Sequence, residues 1–353
     1  MRNFLIILFY LISQPFAFGM ENVFYILHDN KKEALASIET HTELTHVLIA
    51  QAYYIDQIGF VSGKVDDDVF VFANRHSIKL FAMVTNKLFD ADSVHHFLSD
   101  PIAQQKALNT LLDECKKNNF AGIQFDFEMI PLKDKTALTQ FYQNAADLLH
   151  KQGLMVSFAI APTLTDDHFT GLYQKKLYDV WQGAYDFKKL GEISDFVTLM
   201  SYDQHGEGTT PGPIASAPWD EHVIQHALKW IPANKISLGI PTYSGLWYMD
   251  INPTSKKTSI QYDFVDYKTL TYILNKFKPN VQWDNLNKVN YTFYEFGSIN
   301  KYLFIEDALS FKAKHSLAKQ YQLRGISVFR LGIEDPAIWE KLKDKVKPWW
   351  MFW

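Results

Sequence analysis

Ala121-Gly122-Ile123-Gln124-Phe125-Asp126-Phe127-Glu128 alternates small or polar side chains with large apolar ones. In an extended strand successive side chains point to opposite faces, so Gly122, Gln124, Asp126 and Glu128 share one face and Ile123, Phe125 and Phe127 share the other. The polar face ends in two carboxylates. Ala107, Leu108, Leu111, Leu112 and Cys115 before this run, and Leu138, Phe141, Tyr142, Ala145, Leu148 and Leu149 after it, recur at helical spacing. Helices on both flanks predict a parallel sheet, whose strands are covered on both sides. A solvated edge is the commoner setting for Asp-x-Glu on a strand. Acids held at the C-terminal end of a covered strand are costly unless they have a task.

Seven further β-rich runs lie on either side: 23–27, 45–55, 78–84, 155–162, 196–203, 236–241 and 325–331. Helical patterns over 101–118, 138–149, 220–230 and 336–346 separate several of them, and 31–43 reads as helix or loop. Alternation argues a parallel α/β sheet, and a count of eight argues its closure into a (β/α)8 TIM barrel, although periodicity alone leaves an open sheet possible. Between the seventh and eighth runs the rhythm breaks. There a helix (267–277), β-like pieces (281–283, 291–295, 301–304) and a second helix (305–321) read as a small α+β insertion at about 246–320, on the rim where barrel active sites sit.

The 353-residue chain is long enough for one such barrel, and a net charge of −4 gives no basic footprint for nucleic acid. Arg2, the apolar run Phe4 to Ile12 and Ala17-Phe18-Gly19 read as a signal peptide over residues 1–19, too short to span a bilayer, with an uncleaved anchor as the alternative. Residues 20–353 then form the barrel domain, and the expected location is secreted or periplasmic, with no integral membrane segment after signal cleavage. Cys115 is the single cysteine and reads as a packing residue. Asn290-Tyr291-Thr292 is a glycosylation sequon, and the aromatic end Trp349-Trp350-Met351-Phe352-Trp353 is expected to pack under the barrel or to touch sugar.

Catalytic groups of a barrel lie at the C-terminal ends of its strands. Those ends carry Asn86, Asp126 and Glu128, Pro162, Tyr202 and Asp203, Tyr243, and Arg330. The set is acidic and aromatic. It lacks the spacing of a metal site, a nucleophile elbow, a phosphate loop or a cofactor fingerprint, so no cofactor or metal is expected. Carboxyls supply protons and aromatic rings supply stacking faces, which suits acid/base chemistry on a hydroxyl-rich neutral substrate.

Gly122 to Glu128 resembles the Asp-Gly-x-Asp-x-Asp-x-Glu strand of glycoside hydrolase family 18. Met200-Ser201-Tyr202-Asp203 is similar to that family's sixth strand, Gly239-Ile240-Pro241-Thr242-Tyr243 to its seventh, and the insertion to its α+β domain. Tyr202-Asp203-Gln204-His205, the stretch 211–219, Glu306 to Ser310 and Leu323 to Ser327 look like the bacterial branch that includes peptidoglycan-active, spore-cortex-type hydrolases. The resemblance implies retaining hydrolysis of β-1,4 links after N-acetylglucosamine in peptidoglycan or chitin-type polymers, the substrate's acetamide oxygen acting as nucleophile. It implies Glu128 as general acid, Asp126 orienting the acetamide N–H, Tyr202 donating to the acetamide oxygen, and Asp203 helping to bind the distorted sugar. Phe329 would floor a sugar subsite, and Tyr243 and Trp247 would each line sugar subsites or anchor the insertion. His205 would contact substrate or serve its loop.

Three positions depart from the family pattern: Ala121 where Asp is common, Gln124 where Asp or Asn is common, and Phe329 where a Trp commonly floors the sugar site. Gln124 can still hydrogen-bond Asp126 and counts among the expected substrate-binding residues, with a structural role as the alternative, but it cannot share a proton as an acid would. The alternative readings are a catalytically inactive carbohydrate-binding protein of the same fold and, without positive support, a wall or host interaction module.

Overall fold

The computed structural model describes residues 19–343 apart from 167, 168, 170, 252–257 and 298. The stretch 1–18, most of the expected signal, and the aromatic C-terminal end lie outside the described residues.

Eight parallel strands close into a barrel: β1 (Glu21–Ile26), β2 (Val47–Ile55), β4 (Lys79–Asn86), β5 (Gly122–Asp126), β6 (Met155–Ile160), β7 (Phe196–Leu199), β8 (Ile236–Pro241) and β14 (Gly325–Phe329). Closure is made by β1, which pairs with β14 through Val23–Ser327 and with β2 through Val23–Val47. A short β3 (Val61–Gly63) runs antiparallel to the end of β2. The strands end earlier than the β-rich runs where the chain bends into the site. After β7, Ser201 N–H donates to the Leu199 carbonyl and Tyr202 N–H to that of Met200, both at 2.8 Å, and Asp203 takes φ +57°.

The expected alternation on β5 holds. Phe125 and Phe127 point outward into a ring cluster with Phe97, Phe141, Tyr142 and Phe158, in which Phe127 stacks on Phe141 at 5.7 Å. Such pairs add about 0.5–1.5 kcal/mol each beyond their burial, so the outer face of β5 pins the strand that carries the acids. Its inner face steps up the barrel axis. At the bottom, Gly122 has no room for a Cβ, which would stand 2.3 Å from the Met155 carbonyl oxygen and 2.8 Å from the Phe81 ring. Val23, Tyr25, Val47, Ile49, Phe81, Met83 and Phe196 fill the interior beside it. Gln124 lies one step higher, and Asp126 at the mouth.

Between β8 and β14 stands a five-stranded antiparallel sheet in the order β10-β9-β13-β12-β11: β9 (Ser244–Ile251), β10 (Thr258–Val265), β11 (Gln282–Asp284), β12 (Val289–Phe296) and β13 (Ile299–Ile305). The helix Tyr267–Phe277 covers one face through Leu270 and Ile273, against Leu246, Val265, Leu303 and Ile305. The second helix expected within the insertion is Ala308–Gln320, and it packs on β8 and β14 with Phe311 and Ala318 buried, so it belongs to the barrel's outer layer. β3, β9, β10 and the helices Asp67–Arg75, Ala91–Ser99, Leu172–Leu177 and Phe187–Ile193 are additions to the expected elements, and Lys31–Ile38 is helical.

Where the insertion rejoins the barrel, Glu306 N–H donates to the Ser244 hydroxyl at 3.0 Å and the buried Glu306 carboxylate accepts from Lys314 at 2.7 Å. Cys115 is buried in the helix Pro101–Asn118, and burial pushes its thiol up to about 12. The Asn290 amide of the sequon is engaged, donating to Asp307 at 2.7 Å.

Candidate active site

Glu128 is held from three sides at the barrel mouth. Asn86, at the end of β4, accepts from the Glu128 N–H at 2.9 Å and donates to its carbonyl at 3.0 Å. The Trp181 indole N–H donates to Oε2 at 3.1 Å. Tyr185 donates to the preceding carbonyl, that of Phe127, at 2.6 Å. Burial, then the charges of Asp126 and Asp203, hold the Glu128 carboxyl well above the usual carboxylate range, against the opposing pull of the Trp181 hydrogen bond. Glu128 therefore keeps a proton where an exposed glutamate would have lost it.

Asp126 is the contrary case. Its Oδ1 is closed off from solvent and has no hydrogen-bond partner among the described residues, and burial pushes the carboxyl up to about 7. A buried carboxyl left unpaired by its own protein is expensive. It is the acceptor that a ligand N–H would satisfy.

Tyr202 is nearly buried, and its ring stacks on Phe329 at 5.3 Å and 22°. Gly239 makes room for it, since a Cβ there would come within 3.0 Å of the Tyr202 ring. The Tyr243 hydroxyl donates to Asp203, and the Tyr243 ring stacks on Phe264 of β10 at 4.5 Å. Burial raises the Asp203 carboxyl and the Tyr243 hydrogen bond opposes the rise. The structure thus gathers Glu128, Asp126, Tyr202, Asp203, Tyr243 and Phe329 around one mouth, walled on one side by the insertion.

Gln124 is placed differently from the expectation. It is fully buried beneath the mouth and makes no hydrogen bond to Asp126. Its oxygen accepts from the Tyr25 hydroxyl at 2.5 Å, and its amide donates to Ser157 at 2.9 Å and Thr198 at 3.1 Å. Thr198 continues to Ser327 at 3.0 Å, and Ser327 to Ser237 at 2.7 Å. Inward alternation on six strands explains this layer. It is a polar floor under the site, with no face open to a polymer.

Trp247 is fully buried against Tyr262 and Phe304, so it anchors the insertion. His205 folds back on its own loop, its Nδ1 lying 3.1 Å from the Thr210 carbonyl. Arg330 is engaged by Asp29, with Nη2 to Oδ2 at 3.0 Å. Sequence reading missed Trp181 and Tyr25. Tyr25 was open to the argument that placed Gln124, being two residues after Val23 on an inward face. Trp181 lies in a stretch with no strand pattern.

The sequence profile described as glycosyl hydrolases family 18 matches residues 26–334. The chain belongs to glycosyl hydrolase family 18. Among its family 18 relatives, the uncharacterized glycosylase YvbX of Bacillus subtilis is 26% identical over 313 residues, 87% of this chain and 86% of that protein. The cortical fragment-lytic enzyme of B. subtilis is 30% identical over 276 residues, 77% of this chain, which spans 60% of that enzyme's length. In fold, this family 18 barrel matches the spore cortex-lytic enzyme SleL of Bacillus megaterium with a TM-score of 0.79 at 24% identity, covering 93% of this chain and 74% of SleL. It matches a chitinase of Chromobacterium violaceum at 0.78 and 24%, covering 94% of this chain and all of that one. Among the described residues no cluster of His, Cys, Asp or Glu is placed to hold a metal, and no helix is long and apolar enough to cross a membrane.

Proposed function

We propose that the protein is a retaining glycoside hydrolase that cleaves β-1,4 links after N-acetylglucosamine in a peptidoglycan-type or chitin-type polymer, using the substrate's acetamide as nucleophile. The observation that carries this reading is the unpaired, buried Asp126 carboxyl next to an acid kept protonated. Glu128 gives its proton to the glycosidic oxygen as the C1–O bond breaks. The acetamide oxygen closes on C1, forming an oxazolinium whose N–H is held by Asp126. Tyr202 has a hydroxyl with no partner among the described residues, free to donate to the acetamide oxygen and keep it in line. Water then attacks C1, gives its proton to Glu128 and reopens the ring with retention.

Phe329, half-buried and backed by the Tyr202 ring, offers aromatic surface to the sugar, and Asp203, steadied by the buried Tyr243, takes its hydroxyls. Peptidoglycan is favoured over chitin by the names of the cortex-lytic relatives, and a wall polymer agrees with export by the N-terminal stretch. The deciding experiment is release of reducing sugar from purified peptidoglycan and from chitin oligomers by wild type and Glu128→Gln. Release that disappears in the variant while binding persists is the expected result. Binding without release by either protein replaces the hydrolase with a carbohydrate-binding protein of the same fold.

A further inference from the structure

Between β6 and β7 the chain makes one π-helical turn, Tyr178–Gln182, directly after the helix Leu172–Leu177. A residue added to a helical turn rotates the succeeding chain by about 100° relative to α-helical phase, and such turns concentrate at functional sites. Here the rotated segment reaches the strand ends three times. Trp181 donates to Glu128 Oε2 at 3.1 Å, Gln182 donates to the Pro162 carbonyl at 2.8 Å, and Tyr185 donates to the Phe127 carbonyl at 2.6 Å. The last two are main-chain clasps on β6 and β5. Trp181 alone reaches a carboxyl oxygen.

That contact has a chemical consequence. In a protonated carboxyl the carbonyl oxygen is the better acceptor, so an N–H fixed on Oε2 favours the proton on Oε1. Asn86 meanwhile fixes the Glu128 backbone, leaving the side chain only its own torsions. We propose that Trp181 is a positioning residue that selects Oε1 as the proton-bearing oxygen of Glu128 and locks the carboxyl in its working orientation. This rests on the hydrolase reading above.

The charged and titratable groups facing Glu128 are Asp126 on β5, Asp203 after β7, and the hydroxyls of Tyr185 and Tyr202. The two acids raise its proton affinity, and the Trp181 N–H opposes them by stabilising the ionised form. Loss of the N–H lets that affinity rise further, so the alkaline limb of activity, set by Glu128 ionising, moves to higher pH.

Trp181→Phe keeps a ring and removes the donor. Expected are a fall in kcat of about tenfold with KM within about twofold, and an alkaline limb higher by about one pH unit, the size of a hydrogen bond to a charged group. An unmoved limb, with or without a loss of rate, would reduce Trp181 to packing and overturn the proposal. A second measurement needs no substitution at Trp181. In the wild-type chain one indole N–H proton resonance should follow the titration of the Glu128 carboxyl carbon, and should cease to move in Glu128→Gln. If no indole resonance follows that titration, the contact is absent in solution. The titration also separates the two ideas, since wild type that fails to hydrolyse removes the hydrolase while the indole resonance still decides the contact.

Discussion

Gln124 and Asp126 are two residues apart on one strand and face the same interior, yet they live under opposite conditions. Gln124 uses its oxygen and both amide hydrogens on Tyr25, Ser157 and Thr198, in a layer where each bond adds about 1 kcal/mol. Asp126 has an oxygen buried without a partner among the described residues. The lower layer is complete within the protein, whereas the upper one keeps an acceptor that no other described residue satisfies, the one the proposed acetamide N–H would take. A polar group in a barrel interior is therefore read by what remains unpaired, since burial and polarity alone do not separate scaffold from site.

The sharpest break between the layers is expected at Glu128. Glu128→Gln should lower turnover by about 10³-fold with polymer binding retained, checked by reducing-sugar release alongside pull-down on the same polymer. Asp126→Asn comes next, with a loss of about 10²-fold in kcat and a gain in stability. The sign follows from the proton. The folded Asp126 carboxyl titrates near 7 and the unfolded one near 3.9, so its contribution to stability is full below about pH 4 and falls as pH rises through 7. The amide removes that decline, and thermal unfolding at pH 8 should show the variant more stable by about 1–2 kcal/mol, with a much smaller difference at pH 5.

Tyr243→Phe removes the donor to Asp203 and keeps the stack on Phe264, so KM should rise about fivefold with kcat within about twofold in steady-state kinetics. Smallest in activity is Tyr25→Phe in the floor. It strands the Gln124 oxygen and should destabilise the fold by about 1–2 kcal/mol in urea unfolding, with kcat/KM within about threefold of wild type. A loss of activity there as deep as that of Asp126→Asn would break the division between the layers.

The barrel was legible because its signal is periodic: each strand is a short β-rich run, and Phe125 and Phe127 mark the helix-covered face of the central one. The strand ends were legible, so the pattern alone marked Asp126, Glu128, Tyr202 and Asp203, which the structure brings to one mouth. The partners of Gln124 were not legible, because alternation gives a face and not a height in the barrel, and those partners come from three other strands. Trp181 was hidden for a different reason. Its aim depends on a π-helical turn, held near the site by hydrogen bonds to the carbonyls of Phe127 and Pro162, with no residue pattern of its own. The helices Asp67–Arg75 and Ala91–Ser99 show helical spacing over only two turns, too short to stand out from a loop.

The insertion sheet leaves the barrel at Ser244 and returns at Glu306, and those two residues are hydrogen-bonded to each other. An excursion whose ends meet at one point adds nothing to the geometry of the ring it leaves, however long it is. The barrel would close, and Asp126 and Glu128 would stand where they do, whatever sheet was spliced between those two residues. Groove depth beside the mouth can thus vary as a cassette, which reaches the acids through Phe264 stacked on the ring of Tyr243, the partner of Asp203.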